Sequence, residues 1–537
     1  MFRLVRPAST IEPAHIFILF YTVALAADFD DLLRRPIDWM FIALSIWVCL
    51  ALTRLSFLVF LLITTVYFMG WELPDTENHT NLLVITNISI ILCLLNSYSQ
   101  ENRGSTALFY ETAQPIARLL IIIALAVAGF HKFNRDFINP AVSCIRQFSG
   151  DIIDVALGDF AGWGVPPIFF LGLMLAIIII LLWHQRPNLC WPKVDWIGLA
   201  TPTAVVLLGM ALLWRAAGNG QDYNLTNLGI FFLAVSVLCW QLIEAPLLLV
   251  SRFQWVALSF SLIVHAQLAM LRIVDFQAIS IALLIAFVPA NVWHAWNRQS
   301  MASIGPLRLH RAHLYFGLNM LGLVIIFANA HNLIDWPRPH TAWGLLFIAA
   351  LLVMLWPVIS DVCSPARTWQ WNGTPVFQGS APRWLYVLPI CLLLFCLTSH
   401  LGLRTAGNLS MYSNLRTEAG RNNHLVLGAD QLKWAGYQED VVHIVEIGEG
   451  ATIGNYLDRW GKLEGNLLPL VEFRKLLLRW RRRGAKVPMT IAYKGNVTQS
   501  ANIVEHPGWR VNSWDWEMRL MDFRVIQSDS GPNTCRW

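Results

Sequence analysis

Residues 121–137 read IIIALAVAGFHKFNRDF. An unbroken apolar run passes through Gly129 and Phe130 and stops at two ionisable side chains, His131 and Lys132. A lysine at the end of a membrane helix commonly anchors it, its ammonium reaching up to the headgroups. The other reading is a base held where water is scarce. The rest of the chain has to choose between them.

The chain has 537 residues, 56% of them hydrophobic and only 14% charged. An ordinary water-soluble protein carries about a quarter charged residues. The apolar residues also gather into runs of the roughly 17–25 residues that a bilayer-spanning helix needs. Candidate spans fall near 14–28, 38–53, 55–70, 80–97, 115–132, 165–184, 196–214, 228–250, 254–271, 276–295, 312–331, 342–360 and 384–402. The expected fold class is therefore an all-α polytopic membrane bundle of about thirteen transmembrane helices over residues 1–403. The pair within 38–70 is the least sharply divided, because only Arg54 and its neighbours punctuate it. Arg3 and Arg6, the run HIFILFYTV and the ALA at 24–26 also fit a cleaved signal peptide. An uncleaved first helix is the preferred reading.

The net charge of +5 is mild, and nothing points to nucleic acid as a partner. Nine cysteines include no CxxC pair, and no HExxH, GxSxG or Gly-rich phosphate loop is present, so no metal is expected. Cys49, Cys93, Cys239, Cys391 and Cys396 lie in apolar runs, where a small buried thiol is the default. The 25 tryptophans fit interfacial belts.

Loop charge gives an orientation. Arg3 and Arg6, then Arg54, Arg103 and Arg118, Arg186 and Lys193, Arg252, Arg298, Arg308 and Arg311, and Arg367 and Arg383 mark alternate connections. The connections between them are acidic or mixed, as in DFDDLLRRPID at 28–38 and WELPDTENH at 71–79. Short basic loops stay in the cytoplasm. The N-terminus is expected inside, and the tail, 404–537, outside. That tail is a small α+β domain. VVHIVEIG (441–448), VPMTIAYKG (487–495) and FRVIQ (523–527) read as strands, and LLPLVEFRKLLLRWRRRG (467–484) reads as an amphipathic helix with a Gly stop. Its RWRRR run is also suited to anionic lipid. Cys144 and Cys535 would both face an oxidising compartment and form a candidate disulfide.

With this orientation Lys132 sits at the outer end of its helix, and TENHTNLL (76–83) opens the preceding helix at the same level. Consecutive helices usually pack together, so Lys132, His131, His79 and Asn78 are expected at one membrane depth. Desolvation weakens an ammonium and lets a lysine work as a base. Asp136, four residues on, opposes this if it pairs with Lys132. Glu244 and His265 are further ionisable groups within apolar runs, where such residues are often functional. Glu244 is equally suited to anchoring an interface, and His265 to bonding a neighbouring helix. HRAH at 310–313 reads as interfacial, not as a metal site.

ENHTNLLVITNISIIL at 77–92 and YETAQPIARLLIIIALAVAGFHKFNRDF at 110–137 together resemble the membrane domain of the vitamin K-dependent γ-glutamyl carboxylases. That domain is called HTTM, for horizontally transferred transmembrane, and has bacterial members. The shared pattern is an Asn-His pair opening one helix, here Asn78-His79. A helix ending in Ala-Gly-x-x-Lys with a later Asp follows, here Ala128, Gly129, Lys132 and Asp136. EAPLLLVSRFQWVALSFSLIVHAQLAMLRIVDFQAISIALLIAFVP at 244–289 and NLSMYSNLRTEAGRNNH at 408–424 are similar to later family segments. The resemblance implies a bacterial inner-membrane protein in which Lys132 deprotonates a reduced vitamin K-type quinone. The oxygenated quinone then abstracts a glutamate γ-proton, carbon dioxide adds, and His79 assists the carboxylation steps. His131 stands where a second Lys is frequent, and the tail is much shorter than the domain that holds protein substrate in the animal enzymes. A protein or peptide substrate is therefore not implied. Two rival readings keep the same scaffold without this chemistry: a lipid- or quinone-binding membrane protein, and a transporter. The absence of visible inverted repeats speaks against the transporter.

Overall fold

In a computed structural model of the chain, the apolar runs fold as helices. The structure describes residues 12–28, 36–72, 78–100, 106–147, 225–269, 274–288, 292–293, 302–304, 307–309, 311–331, 333–335, 339–362, 373–410, 412–428, 432–449, 451, 463–509, 515–526, 531–532 and 535. The expected spans at 165–184 and 196–214 lie outside these residues. The main helices are α1 Pro13–Ala27, α2 Pro36–Ala51, α3 Arg54–Tyr67, α4 Asn78–Ser99, α5 Thr106–Lys132, α6 Leu225–Leu249, α7 Gln254–Ala269, α8 Val274–Leu284, α9 Arg311–Ala330, α10 Pro339–Val362 and α11 Val387–Cys396.

Three helices among the described residues are long and apolar enough to cross a membrane: Asn78–Ser99, Thr106–Lys132 and His313–Ala330. Eight further apolar helical stretches there run 10–17 residues. Two of these are parts of longer helices, α6 Leu225–Leu249 and α10 Pro339–Val362, and the others, at 1.5 Å per residue, reach at most about 26 Å, short of a hydrocarbon core of about 30 Å. Among the described residues the expected count of about thirteen full spans is not supported. The reason is local, because an apolar run in sequence need not be one unbroken helix. The run at 384–402 is divided into a 3-10 turn Arg383–Tyr386, α11, and a second 3-10 turn Leu397–Ser399. Likewise α8 tightens into a 3-10 turn at Ile285–Phe287, and α3 gives way to a π turn at Phe68–Glu72.

α5 is the spine of the bundle, touching α1, α4, α6, α8 and α11. It carries Pro115 in its interior. A proline has no N–H, so the carbonyl one turn back loses its helical donor. Ser380 supplies the substitute, its N–H donating to the Glu111 oxygen at 3.0 Å. The chain comes this close because residue 379 is a glycine with φ +153°. A Cβ there would lie 2.4 Å from the Glu111 oxygen. Fully buried Arg118 fixes the same loop, donating to the carbonyls of Pro375 (3.0 Å), Gln378 (2.9 Å) and Ala286 (2.8 Å). Near the other end of α5, Gly129 lets α6 approach, where an added Cβ would lie 3.1 Å from the Gln241 backbone.

The tail forms a four-stranded antiparallel sheet from β1 Val441–Ile447, β2 Leu467–Pro469, β3 Met489–Tyr493 and β4 Asn496–Ser500, in the order β2-β1-β3-β4. The amphipathic segment folds as α12, Leu470–Arg482, and stops before Gly484 at φ +66°. It buries Phe473, Leu476, Leu477 and Trp480 in a core shared with Val442, Ile444 and Ile491. That face is therefore spent on the domain's own core. FRVIQ does not become a full strand and contributes a single bridge, Ile526 to Leu467. Cys144 and Cys535 are joined by a disulfide, with Cα atoms 4.7 Å apart.

Candidate functional site

Three helix ends meet at His79. Its Nε2 lies 3.0 Å from an Asp28 carboxylate oxygen and 3.1 Å from one of Asp275. Asp28 caps the end of α1, and Asp275 opens α8, where it also accepts the Phe276 N–H at 2.7 Å. Thr80 donates to Asp28 at 3.1 Å. One imidazole so placed staples α1, α4 and α8. The amides beside it hold the tail segment: the Asn78 side-chain oxygen accepts the Ser410 N–H at 3.2 Å, and the Asn81 amide donates to the Gly407 carbonyl at 3.0 Å.

The same segment reaches the end of α5. Leu409, next to Ser410, accepts from His131 Nδ1 at 3.3 Å. The opening of α4 and the close of α5 therefore bond to one segment of chain. That segment is conformationally unusual. Leu409, Tyr412 and Asn414 have φ of 61°, 53° and 53°, in the left-handed region that non-glycine residues seldom adopt. It is held there by buried polar contacts. Arg524 donates to the Thr405 carbonyl at 3.0 Å and to the Ser410 hydroxyl at 3.1 Å, and Asn134 donates to the Ser413 carbonyl.

Lys132 is buried, 8% exposed. Its ammonium reaches the Ala128 carbonyl, one turn back on its own helix, at 3.4 Å. No carboxylate among the described residues forms an ion pair with it. Asp136 is engaged elsewhere, accepting from the Asn423 amide at 2.8 Å. α5 ends at Lys132, and a separate turn, Arg135–Ile138, carries Asp136 away. The i,i+4 geometry that would pair the two is thereby absent.

Next to Lys132 the rings of His131, His400 and His424 pack around Phe130. The His131–His400 and His400–His424 centroids are 5.4 and 5.2 Å apart, and Phe130 lies 4.4 Å from His424. Two of these histidines have fixed tautomers. A carbonyl only accepts, so His131 carries its proton on Nδ1 toward Leu409, and its Nε2 takes the Ser399 hydroxyl at 3.3 Å. His424 donates from Nε2 to the Phe130 carbonyl at 3.0 Å, while its Nδ1 accepts the N–H groups of Val426 and Leu427, each at 3.2 Å.

Glu244 and His265 lie apart from this constellation. The Ser261 hydroxyl bonds to the Glu244 carboxylate, linking α6 to α7. His265 bonds through Nδ1 to Gln277 and links α7 to α8. Both are buried and both serve helix packing. The sequence alone does not single out Asp28, Asp275, Ser399 or His400, and it gives His424 no role. For all but His424 the signal was position, since each closes or follows an apolar run on the side expected to be outer, whereas His424 lies in the polar segment beyond the last run. Among the described residues, no group of three or more His, Cys, Asp or Glu side chains is arranged to hold a metal ion. No protein-family model, curated protein or solved structure matches this chain.

Proposed function

We propose that this chain is a multi-pass membrane enzyme of the HTTM type, with Lys132 as a general base acting on a reduced vitamin K-type quinone. The observation that carries the reading is the buried Lys132 ammonium, which has no carboxylate partner among the described residues and a single 3.4 Å contact to its own helix. A purely structural lysine at a membrane edge reaches water or a counter-ion. A lysine kept away from both is suited to shedding and taking up a proton.

The residues fit a hydroquinone. Lys132 supplies the nitrogen that would receive a phenolic proton, and the aromatic surface of Phe130 and its histidine neighbours suits a flat ring. When bound, such a molecule supplies the electrons that reduce oxygen and so generate a stronger base. The chain's own part is narrower. The Ala128 carbonyl orients the Lys132 amine, and Leu409 and Ser399 hold His131 beside it. Asp28 and Asp275 fix the His79 ring at the start of α4. That double ion pair also favours a second reading for His79, as a staple of the scaffold rather than a participant.

The orientation belongs to the same proposal: N-terminus cytoplasmic, tail extracytoplasmic, in a bacterial inner membrane. What supports it is the pairing of helix ends. Those assigned outside bond to one another, as with Asp28, His79 and Asp275, and Arg519 with the carbonyls of Met69 and Gly70 at 3.1 Å. Those assigned inside do the same, as with Arg54 and Ser97 at 3.2 Å, and Gln254 and Thr374 at 2.7 Å. The enzymatic test uses purified full-length chain with 2-methyl-1,4-naphthohydroquinone, oxygen and bicarbonate, with epoxide followed by chromatography. Turnover in the wild type and its loss in Lys132→Ala is the expected result. Undiminished turnover in the variant, or none in the wild type, overturns the reading.

A further inference from the structure

The three histidines around Phe130 are not equivalent. His131 and His424 have both ring nitrogens occupied by the protein. His400, only 3% exposed, has neither nitrogen within hydrogen-bonding reach of a protein partner among the described residues. Burying an imidazole with nothing to bond carries a desolvation penalty at both nitrogens. Its neighbours cannot relieve it, because His131 and His424 have no spare donor or acceptor on their rings. His400 follows the turn Leu397–Ser399, and its ring lies 5.4 Å from that of Phe130 and 5.4 Å from that of His131, the residue adjoining Lys132.

We propose that His400 is a ligand-binding residue of the Lys132 site, its proton-free ring nitrogen accepting a hydrogen bond from a hydroxyl of an aromatic diol. The choice of ligand follows from what a neutral imidazole needs. One nitrogen carries a proton and is satisfied by any oxygen. The other is a lone pair and is satisfied only by a guest that brings its own O–H or N–H. A carbonyl or a carboxylate leaves that second nitrogen bare, and a diol does not. The surrounding rings of Phe130, His131 and His424 offer a flat guest faces and edges to pack on.

The diol is named on the strength of the proposed quinol chemistry, but the demand for a donor at His400 is independent of it. The test measures binding, not turnover. Purified full-length chain in detergent is titrated anaerobically with 2-methyl-1,4-naphthohydroquinone and, separately, with the matching quinone, which lacks the O–H. Quenching of tryptophan fluorescence reports affinity. The wild type should prefer the hydroquinone about tenfold, the worth of one hydrogen bond. His400→Phe should abolish that preference, bringing the two probes to equal affinity. Where His400→Phe fails to fold, His400→Leu is read in its place. Equal affinity of the wild type for the two probes overturns the proposal, as it would if an ordered water alone served His400. A preference that survives the substitution overturns it as well. The outcomes separate the two readings. His400-dependent preference without any turnover sinks the quinol chemistry and leaves this site standing. Lys132-dependent turnover without a His400-dependent preference sinks this site alone.

Discussion

Replacing Lys132 by methionine should stabilise the protein and, on the proposed quinol reading, abolish turnover. The side chain is buried, and its ammonium makes one long contact, 3.4 Å to the Ala128 carbonyl. Methionine nearly matches the length and bulk of the lysine stem, so packing is largely kept. What is lost is a weak hydrogen bond, and what is relieved is the desolvation of a charge with no ion-pair partner among the described residues. Replacing even paired buried charges by apolar groups of similar volume is often stabilising, by about 1–4 kcal/mol. A gain near the lower half of that range should raise the melting temperature by a few degrees. The chain carries its own reporter, because Cys49, Cys93 and Cys396 are buried free thiols. A thiol-reactive fluorogenic dye added during a temperature ramp in detergent will light up as they are exposed. A melting point that rises in Lys132→Met, together with lost turnover, marks a residue kept at a cost to stability. A melting point that falls by several degrees would refute the reasoning, since it would mean the ammonium holds the fold together.

Gly129→Ala should destabilise by up to about 2 kcal/mol, because the new Cβ meets the Gln241 backbone at 3.1 Å and overpacking outweighs the helix-propensity gain of about 1 kcal/mol; the same dye-monitored melt reads it. A double-mutant cycle of His79→Phe and Asp275→Asn should show a coupling of about 1–3 kcal/mol in stability, and additive effects would mean that the 3.1 Å pair carries nothing. Breaking the tail-to-bundle disulfide by Cys535→Ser should release a C-terminal fragment after proteolysis without reductant, whereas the wild-type fragment stays attached through Cys144 until reduced. In the tail, burial alone would raise the Glu472 carboxyl, but Lys475 and Arg479 outweigh it and hold it below the usual carboxylate range. A folded pKa lower than the unfolded one stabilises above about pH 4.3 and ceases to do so as pH falls through the folded value. Glu472→Gln should therefore weaken the tail by about 3–5 kcal/mol at neutral pH, with the gap closing in acid. Hydrogen exchange across β1 and β3 measures both.

Periodicity and charge made the helices, the tail's two main strands, its amphipathic helix and the Cys144–Cys535 pair legible, because each rests on a local pattern or on a compartment. The number of full spans was not legible. A hydropathy run records only that a stretch avoids water, and the 3-10 turns that divide 383–399 depend on what packs there. The candidate site was half legible for a related reason. Lys132, His131, Asn78 and His79 announce themselves as polar groups closing or opening apolar runs, and helix adjacency alone brings them to one level. Sequence spacing also left open a pairing of Lys132 with Asp136. The four-residue offset holds only if the helix continues, and Asn134 starts a new turn by accepting the Phe137 N–H at 2.9 Å. The remaining residues come from far away in sequence. His400 and His424 reach Phe130 from either side of a segment whose Gly407, Leu409 and Ser410 bond to the ends of α4 and α5. Asp28 and Asp275 reach His79 because α1 and α8 pack along one another. No local pattern encodes such meetings. One physical rule would have narrowed them: a histidine beside a buried lysine, with like groups nearby, must find hydrogen-bond partners or a guest, so every polar residue at or beyond the outer ends of the apolar runs was a candidate. Three of the four it would have added, Asp28, Asp275 and His424, satisfy their neighbours. His400 satisfies nothing in the protein, and that difference separates a structural histidine from one waiting on a ligand.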